Sequence, residues 1–367
     1  MIQRAKKPLS KGKRILFLSN GFAEDTVGAN LAKELSGFDL AALPIVGLGN
    51  PYRALNIPIL APCRELPSQG ITFGEEFKVW DEIRAGAISL YLKKAWSLFR
   101  QRKKFDLVVC TGDYLSTMIA GIFVKKPLVY LWVTASHFDP LAKHFLKKYA
   151  AMIFSRWRTW THLPEFKVEF FGNPYMDAVM ISGDDFNLIK DRPTITVLPG
   201  TREPAFNNLS KVVQILELVN KQKPINVIFA LSPKTLPDEF LKAVAGRANW
   251  VVTQKFGDAL HCADLVLGLS GTGNEQAAGL GKPLVSFWGG GASREEAFVK
   301  WHHDKFLAGA QILLPPDIPE KIAEVMLLLL RTPDKMKQMG EKGIALNGGV
   351  GGTKIIAERI KEWLLNH

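Results

Sequence analysis

The chain repeats one local pattern, in which a short apolar run stops at a glycine-rich turn and continues into a stretch with helical spacing. Residues 197–202 read VLPGTR, and residues 264–283 read DLVLGLSGTGNEQAAGLGKP. Short β-rich runs that alternate with helical stretches are typical of parallel βαβ units. The turn after each strand presents backbone N–H groups at the start of a helix, an arrangement that suits phosphate. The pattern therefore predicts an α/β fold with a phosphate-bearing ligand.

The same pattern occurs twice along the 367 residues, with a polar segment at 182–194 between the two series. This length suits two domains. We predict two Rossmann-like open parallel-sheet domains that face each other across a cleft, at residues 1–178 and 179–350, and a C-terminal helix at 351–367 that crosses back to the first domain. The predicted strands are 14–19, 106–110, 128–133, 151–155, 168–171, 194–198, 226–231, 250–253, 265–269 and 284–287. The predicted helices include 25–35, 318–330 and 354–365.

The positive charge of the chain is concentrated in its first half. The formal net charge is +12, of which residues 1–175 carry +11. Residues 93–104 (KKAWSLFRQRKK) and 143–160 (KHFLKKYAAMIFSRWRTW) mix basic and aromatic residues without an acid. Aromatic rings among Lys and Arg suit a membrane interface, and no nucleic-acid-binding motif is present. The segments indicate an anionic membrane surface as a partner, while solvated helix faces over buried apolar stripes are the alternative.

Three widely spaced cysteines predict neither a disulfide framework nor a zinc site. No apolar run reaches the ~18 residues of a membrane span, and the basic N-terminus lacks the pattern of a signal peptide. No D-x-D motif is present to hold a divalent metal against a diphosphate. We therefore expect no cofactor or metal, and a cytoplasmic protein that is peripheral on the inner face of the plasma membrane.

Two turns in the second half are candidate diphosphate sites. Gly200, Thr201 and Arg202 follow one strand, and the Arg202 guanidinium could form a fork with a diphosphate. A surface arginine in a structural turn is the alternative. Residues 270–272 (Ser270, Gly271 and Thr272) follow another strand and offer hydroxyls and a bare backbone to phosphate oxygens. An ordinary helix N-cap is the alternative there.

Several of these motifs occur in a shared order that resembles the lipid-A-disaccharide synthase family, over roughly residues 13–365. The matching segments are LPGTR at 198–202, SGT at 270–272, FGNP at 171–174 with Asp177, Asp25 with Gly28, and PIVGLGNP at 44–51. The resemblance implies the GT-B fold and a metal-independent, inverting transfer of a hexosyl group from a UDP-sugar to a lipid or amphiphilic acceptor. It makes further residues candidates for substrate binding, namely Asn20, Gly21, Asp25 and Asn173.

Two questions stay open at the level of sequence. Either Glu275 or Gln276 contacts the ribose, and only one can point into the site, since one helical step rotates a side chain by ~100°. The chemistry favours Glu275, because a carboxylate can accept both ribose hydroxyls. Asp113 follows a buried strand and is the candidate general base, but it is equally suited to cap the next helix. If it caps that helix, the base is to be sought at Asp25, Glu24 or His137.

Two other functions fit the same pattern. A non-hydrolysing UDP-sugar epimerase shares this architecture, but it would leave the basic half of the chain unexplained. A catalytically inactive membrane protein that binds sugar nucleotides is the second alternative.

Overall fold

The computed structural model describes residues 12–64, 66, 79–134, 140–161, 165–200, 204–232, 235, 237–288, 296–316 and 318–367. It divides into two compact units. Unit 1 comprises Met1–Ala178 and Gly351–His367, and unit 2 comprises Val179–Val350.

Unit 1 contains a six-stranded sheet in the order β2-β1-β3-β4-β5-β6, and all of its strand pairs are parallel. The sequence order reverses between β1 and β3, which lie side by side. In an open parallel sheet this is the position at which ligands bind, beyond the carboxyl ends of the strands. The strands are β1 (Arg14–Asn20), β2 (Asp39–Val46), β3 (Leu107–Gly112), β4 (Leu128–Trp132), β5 (Ala150–Ser155) and β6 (Val168–Glu169).

Unit 2 contains a second parallel sheet of six strands, in the order β12-β11-β10-β7-β8-β9. This is the 3-2-1-4-5-6 order of dinucleotide-binding sheets, with its switch point between β7 and β10. The strands are β7 (Thr194–Leu198), β8 (Asn226–Ala230), β9 (Trp250–Thr253), β10 (Leu265–Gly268), β11 (Leu284–Phe287) and β12 (Gln311–Leu314).

The helices connect successive strands and cover the sheets. In chain order the first eight are α1 (Phe22–Glu34), α2 (Asn50–Ala54), α3 (Val79–Arg84), α4 (Ala87–Gln101), α5 (Tyr114–Ile119), α6 (Pro140–Tyr149), α7 (Pro204–Asn207) and α8 (Leu209–Gln222). The others are α9 (Asp238–Val244), α10 (Phe256–Cys262), α11 (Thr272–Gly279), α12 (Glu296–His302), α13 (Pro319–Leu330), α14 (Pro333–Asn347) and α15 (Gly352–Asn366). Shorter helical turns occupy Arg102–Lys104, Ala120–Val124, Arg158–Trp160, Met176–Ala178 and His303–Leu307.

Burial on both faces explains why the strands are continuous apolar runs. In β1, Ile15 and Phe17 pack into a cluster that includes Ile360 of α15, while Leu16 and Leu18 pack on the opposite face. Successive side chains of a strand point to opposite faces, so a doubly covered strand needs apolar residues at every position. The predicted fold class, an α/β protein with two open parallel sheets, is confirmed by these two layered units.

The sequence pattern missed the second strand, β2, which contains Pro44. Proline removes a hydrogen-bond donor and interrupts a pattern that otherwise indicates a strand. β2 lies at the edge of its sheet and pairs only with β1 within that sheet order, a position that tolerates proline. Tertiary position therefore decided the conformation of this segment.

The described helices include none that is both long and apolar enough to span a bilayer.

Candidate functional site

A pocket of about 230 Å³ lies at the carboxyl ends of three adjacent strands of unit 2, β10, β7 and β8. Gly200 from the turn after β7 and Ser270 from the turn after β10 line it, together with Thr272 and Gln276 of α11. The pocket occupies the switch point of the sheet. The structure thus brings together residues that the sequence placed in two separate glycine-rich turns.

The turn between β10 and α11 is held by the buried amide of Asn274. Its Oδ1 accepts a hydrogen bond from the Ser270 amide at 3.3 Å, and its Nδ2 donates to the Gly268 carbonyl at 3.1 Å. A Cβ atom on Gly268 would lie 2.3 Å from Asn274 Oδ1, so the turn requires glycine. Ser270 Oγ accepts from the Gly273 amide at 3.3 Å. The start of α11 is therefore fixed beside the pocket, where its positive end favours an anion.

Glu275 and Gln276 have different environments although they are adjacent on α11. Glu275 is fully buried, and its Oε1 lies 2.9 Å from His302 Nε2. Gln276 lines the 230 Å³ pocket. The side chain of Gln276 therefore lines the pocket, whereas that of Glu275 is buried against His302. The predicted ribose contact stays a prediction for both residues.

The other residues of the two predicted phosphate turns divide between described and undescribed parts of the chain. Gly200 has a φ of +98°, a conformation that side chains disfavour. Gly271 is the N-cap of α11 and lines a small adjoining cavity. Thr201 and Arg202 lie outside the described residues, so their predicted contacts with a diphosphate stay predictions.

A cluster of carboxylates lies at the switch point of unit 1. Asn20 ends β1, Asp113 follows β3, and Asn20 Nδ2 donates to Asp113 Oδ2 at 2.8 Å. The other carboxylate oxygen accepts a hydrogen bond from the Leu115 amide at 2.9 Å. Asp113 is thus the N-cap of α5 and at the same time the partner of Asn20. The cap was one of the two roles predicted for it, and the role of base stays a prediction.

Glu24, on the first turn of α1, is the second carboxylate of this cluster. Burial and the neighbouring charge of Asp113 raise its pKa to about 7, although the charge of Arg156 acts in the opposite direction. Gly21, with a φ of +144°, leaves room for this side chain, since a Cβ there would lie 2.5 Å from Glu24 Oε2. Gly112 similarly lets the Glu24 stem approach β3. A half-buried carboxyl that titrates near neutrality has the properties of an acid–base catalyst.

Arg156 and Tyr175 are close to the same cluster and were not singled out from the sequence. Arg156 is buried, donates from Nη1 to the Val133 carbonyl at 2.7 Å, and lies over the Tyr175 ring at 4.9 Å. The Tyr175 hydroxyl donates to Glu24 Oε1 at 3.4 Å. The only sequence signal for Arg156 was its place directly after β5, the same position relative to a strand that singled out Asp113.

Asp25 faces away from this cluster into a buried network. Its Oδ1 accepts a hydrogen bond from Ser19 Oγ, which in turn accepts one from the Tyr52 hydroxyl at 3.2 Å. Gly28 makes this possible, because a Cβ there would lie 2.0 Å from the Tyr52 oxygen. Burial raises the pKa of Asp25 to about 7. The residue is only 1% exposed. Its predicted contact with substrate stays a prediction.

Asn173 is fully buried, and its Oδ1 accepts a hydrogen bond from the Tyr175 amide at 3.0 Å. Asp177 accepts hydrogen bonds from the amides of Gly351 and Thr353, at the start of α15. Both side chains stabilise turns of unit 1. The hydrogen bond from the Tyr175 amide shows that Asn173 helps to position Tyr175. The predicted contact of Asn173 with substrate stays a prediction.

Among the residues that the structure describes, no group of three or more His, Cys, Asp or Glu side chains is arranged to hold a metal ion.

Comparison with known proteins gives one partial sequence match and many matches of fold. No family model matches the chain. It is 28% identical over 230 residues to a lipid-A-disaccharide synthase of Solibacter usitatus (strain Ellin6076). The match covers 54% of this chain and 58% of that protein, so it spans little more than half of the relative's length.

Several solved structures share the fold across nearly the whole chain. MurG of Acinetobacter baumannii has a TM-score of 0.64 at 17% identity, covering 95% of this chain and 99% of MurG. A putative UDP-N-acetylglucosamine 2-epimerase of Listeria monocytogenes has a TM-score of 0.66 at 15% identity, covering 98% of each chain. The calicheamicin glycosyltransferase CalG4 has a TM-score of 0.64 at 17% identity, covering 96% of this chain and 98% of CalG4. The protein therefore has the two-domain α/β fold of GT-B glycosyltransferases.

Proposed function

We propose that the protein transfers a hexosyl group from a UDP-sugar to a lipid or amphiphilic acceptor, with inversion at the anomeric carbon. The observation that carries this proposal is the unit 2 pocket at the β7–β10 switch point. A glycine turn, three hydroxyl side chains and a helix N-terminus surround it, which suits a nucleoside diphosphate. The partial match to a lipid-A-disaccharide synthase supports a lipid acceptor.

The carboxylate cluster of unit 1 supplies the acid–base chemistry in this proposal. Glu24 accepts the proton of the acceptor hydroxyl, whose oxygen bonds to the anomeric carbon while the bond from that carbon to UDP breaks. We assign the base to Glu24 because both Asp113 oxygens already accept hydrogen bonds from Asn20 and Leu115. Asp113 then orients Asn20 and raises the pKa of Glu24. Charge on the departing diphosphate is stabilised by the start of α11 and by Arg202.

The direct test is to incubate the purified chain with a panel of UDP-sugars and a bacterial lipid extract. UDP release that requires the lipid, with a new glycolipid seen by mass spectrometry, is the expected result. The epimerase remains a second candidate, because an epimerase structure shares the fold over the same length. An altered UDP-sugar formed without any acceptor would favour the epimerase. Binding of UDP-sugars without either product would favour an inactive binding protein.

We expect Gly200→Ala to weaken UDP binding by roughly tenfold, the scale of one hydrogen bond to a charged group. A side chain at a φ of +98° forces the turn to change conformation and adds a methyl group at the pocket. Calorimetry with UDP measures the change. Gly246→Ala is the matched control, since Gly246 has a φ of +76° but open space around it. The control should melt earlier yet bind UDP normally, and equal loss in both variants would remove Gly200 from the site.

We also propose that unit 1 binds an anionic membrane surface through α4, at the cytoplasmic face of the plasma membrane. Trp96 and Phe99 are 60% and 53% exposed, and the guanidinium groups of Arg100 and Arg102 lie over their rings at 4.4 and 3.6 Å. Rings and cations in this arrangement suit the headgroup region.

Cosedimentation with anionic vesicles should therefore decrease as salt rises, because screening shortens the field to ~8 Å at physiological ionic strength. Trp96→Ala and Phe99→Ala should each weaken binding at low salt. Leu328→Ala removes an exposed apolar residue of unit 2 and serves as the control. Binding that is equal in all three variants, or absent at low salt, would contradict the membrane role of α4.

A further inference from the structure

α4 has two apolar faces, which is unusual for a helix on the surface of a sheet. Ala87, Leu90 and Leu98 are buried against unit 1, as the 3.6-residue period of a covering helix requires. A second stripe at the same period, Ile88, Leu92, Trp96 and Phe99, is exposed. Ile88 is 55% and Leu92 66% exposed, so this stripe has no partner among the described residues that would bury it.

A cavity of about 570 Å³ lies beneath the N-terminal half of this stripe. Its volume falls within the roughly 300–1,000 Å³ of ligand pockets. Apart from Glu82, Tyr91 and Lys94, its described lining is entirely apolar, with contributions from β2, α4, α5 and the turn at Ala120–Val124. Lys94 donates to the carbonyls of Pro44 and Ile45 at 2.8 Å each, so backbone oxygens hold its charge. The lining suits a hydrocarbon chain.

One wall of the cavity adjoins the carboxylate cluster. Leu115 lines the cavity, and its amide donates to Asp113 at 2.9 Å. A molecule whose apolar tail fills the cavity therefore has its polar end near the groups that we propose for acid–base chemistry.

The charge of the segment at 87–105 indicates the kind of polar end. This segment contains six basic residues and no acid, and five of the six lie at exposed or partly exposed positions, while Glu82 of α3 is a buried acid in the cavity lining. An anionic headgroup complements this surface. A second copy of the chain does not, because two such faces would bring like charges together.

We propose that this cavity is a binding pocket for one acyl chain of an anionic amphiphile, and that its depth sets the preferred chain length. The proposal rests on the proposed function only for the view that this amphiphile is the glycosyl acceptor. Ala95, on the cavity wall, and Ile88, at its opening, control entry. Trp96 and Phe99 do not line the cavity, and in our proposal they contact the membrane surface instead.

Displacement of a fluorescent fatty acid from the full-length protein, below its micelle concentration, tests the pocket without any sugar nucleotide. Saturated fatty acids of increasing length should compete more strongly, by roughly fourfold per methylene, until the cavity is full. Ala95→Phe fills the cavity and should weaken the longest acids by at least about tenfold, since it excludes several methylenes. Ile88→Glu, at an exposed position that does not endanger folding, should weaken them similarly. Leu328→Ala, at an exposed apolar residue of unit 2, is the control and should bind fatty acids normally.

The possible outcomes separate this pocket from the proposed function. Saturable fatty-acid binding without any sugar transfer would support the acyl-chain pocket and contradict the proposed transferase activity. Lipid-dependent UDP release with no fatty-acid binding, or with equal binding in all variants, would overturn the pocket alone. If light scattering shows a dimer that Ile88→Glu dissociates while fatty acids fail to bind, the face is an interface between copies and the proposal is wrong.

Discussion

Glu24→Gln should lower sugar transfer by about 10²–10⁴-fold, the usual contribution of general-base catalysis. Glutamine keeps the size of the side chain but cannot accept the proton of the acceptor hydroxyl. The substitution lies in unit 1, so UDP binding to the unit 2 pocket should not change. Steady-state turnover and calorimetry with UDP measure the two quantities. Normal turnover in this variant would remove Glu24 as the base.

The pH dependence of the wild-type protein gives an independent reading. The pKa of Glu24 is raised from 4.5 to about 7, so the base becomes active as the pH rises through neutrality. The rate should therefore increase with pH around an apparent pKa near 7, and this step should be absent in Glu24→Gln.

Asp113→Asn is the informative comparison for the base. Burial is the largest cause of the raised pKa of Glu24, and the charge of Asp113 adds to it. Removing that charge should shift the rate profile toward acid. The cap of α5 should persist, because asparagine caps a helix about as well as aspartate. Complete loss of turnover in Asp113→Asn with retention in Glu24→Gln would restore Asp113 as the base.

The stability of unit 1 should fall as the pH rises from about 4 to 7, because of Asp25. Burial raises the pKa of this carboxyl from 3.8 to about 7 in the folded chain. Below the unfolded value both states are protonated and the full stability is present. Between the two values the unfolded chain loses the proton while the folded chain keeps it, so the free energy of unfolding decreases. The shift of about three pKa units corresponds to at most about 4 kcal/mol.

Denaturant unfolding of wild type and Asp25→Asn across this pH range measures the effect. Asparagine cannot ionise, so the difference in stability between variant and wild type should grow with pH and level off above about 7. Asp39→Asn, at an exposed carboxylate of the same unit, is the control. A difference that does not vary with pH would mean that Asp25 is ionised in the folded protein throughout.

The amino-acid sequence by itself determined the local elements and much of their chemistry. Continuous apolar runs such as 194–198 can be buried only when both faces of a strand are covered, so they predicted parallel sheets. The turns at Gly200 and Ser270 were predicted because glycine and hydroxyl residues directly after a strand have a local physical meaning. The structure places both turns at one pocket.

Tertiary structure decided what depends on partners that are distant in the chain. Glu275 is buried beside His302, 27 residues away, while its neighbour Gln276 lines the pocket. Glu24 acquires its raised pKa from burial and from Asp113, which only the pairing of β1 with β3 brings near. Helical periodicity fixes that neighbouring residues point ~100° apart, but not which of them lines the pocket. Packing against residues that are distant in the chain decides this, so it cannot be predicted without the complete fold.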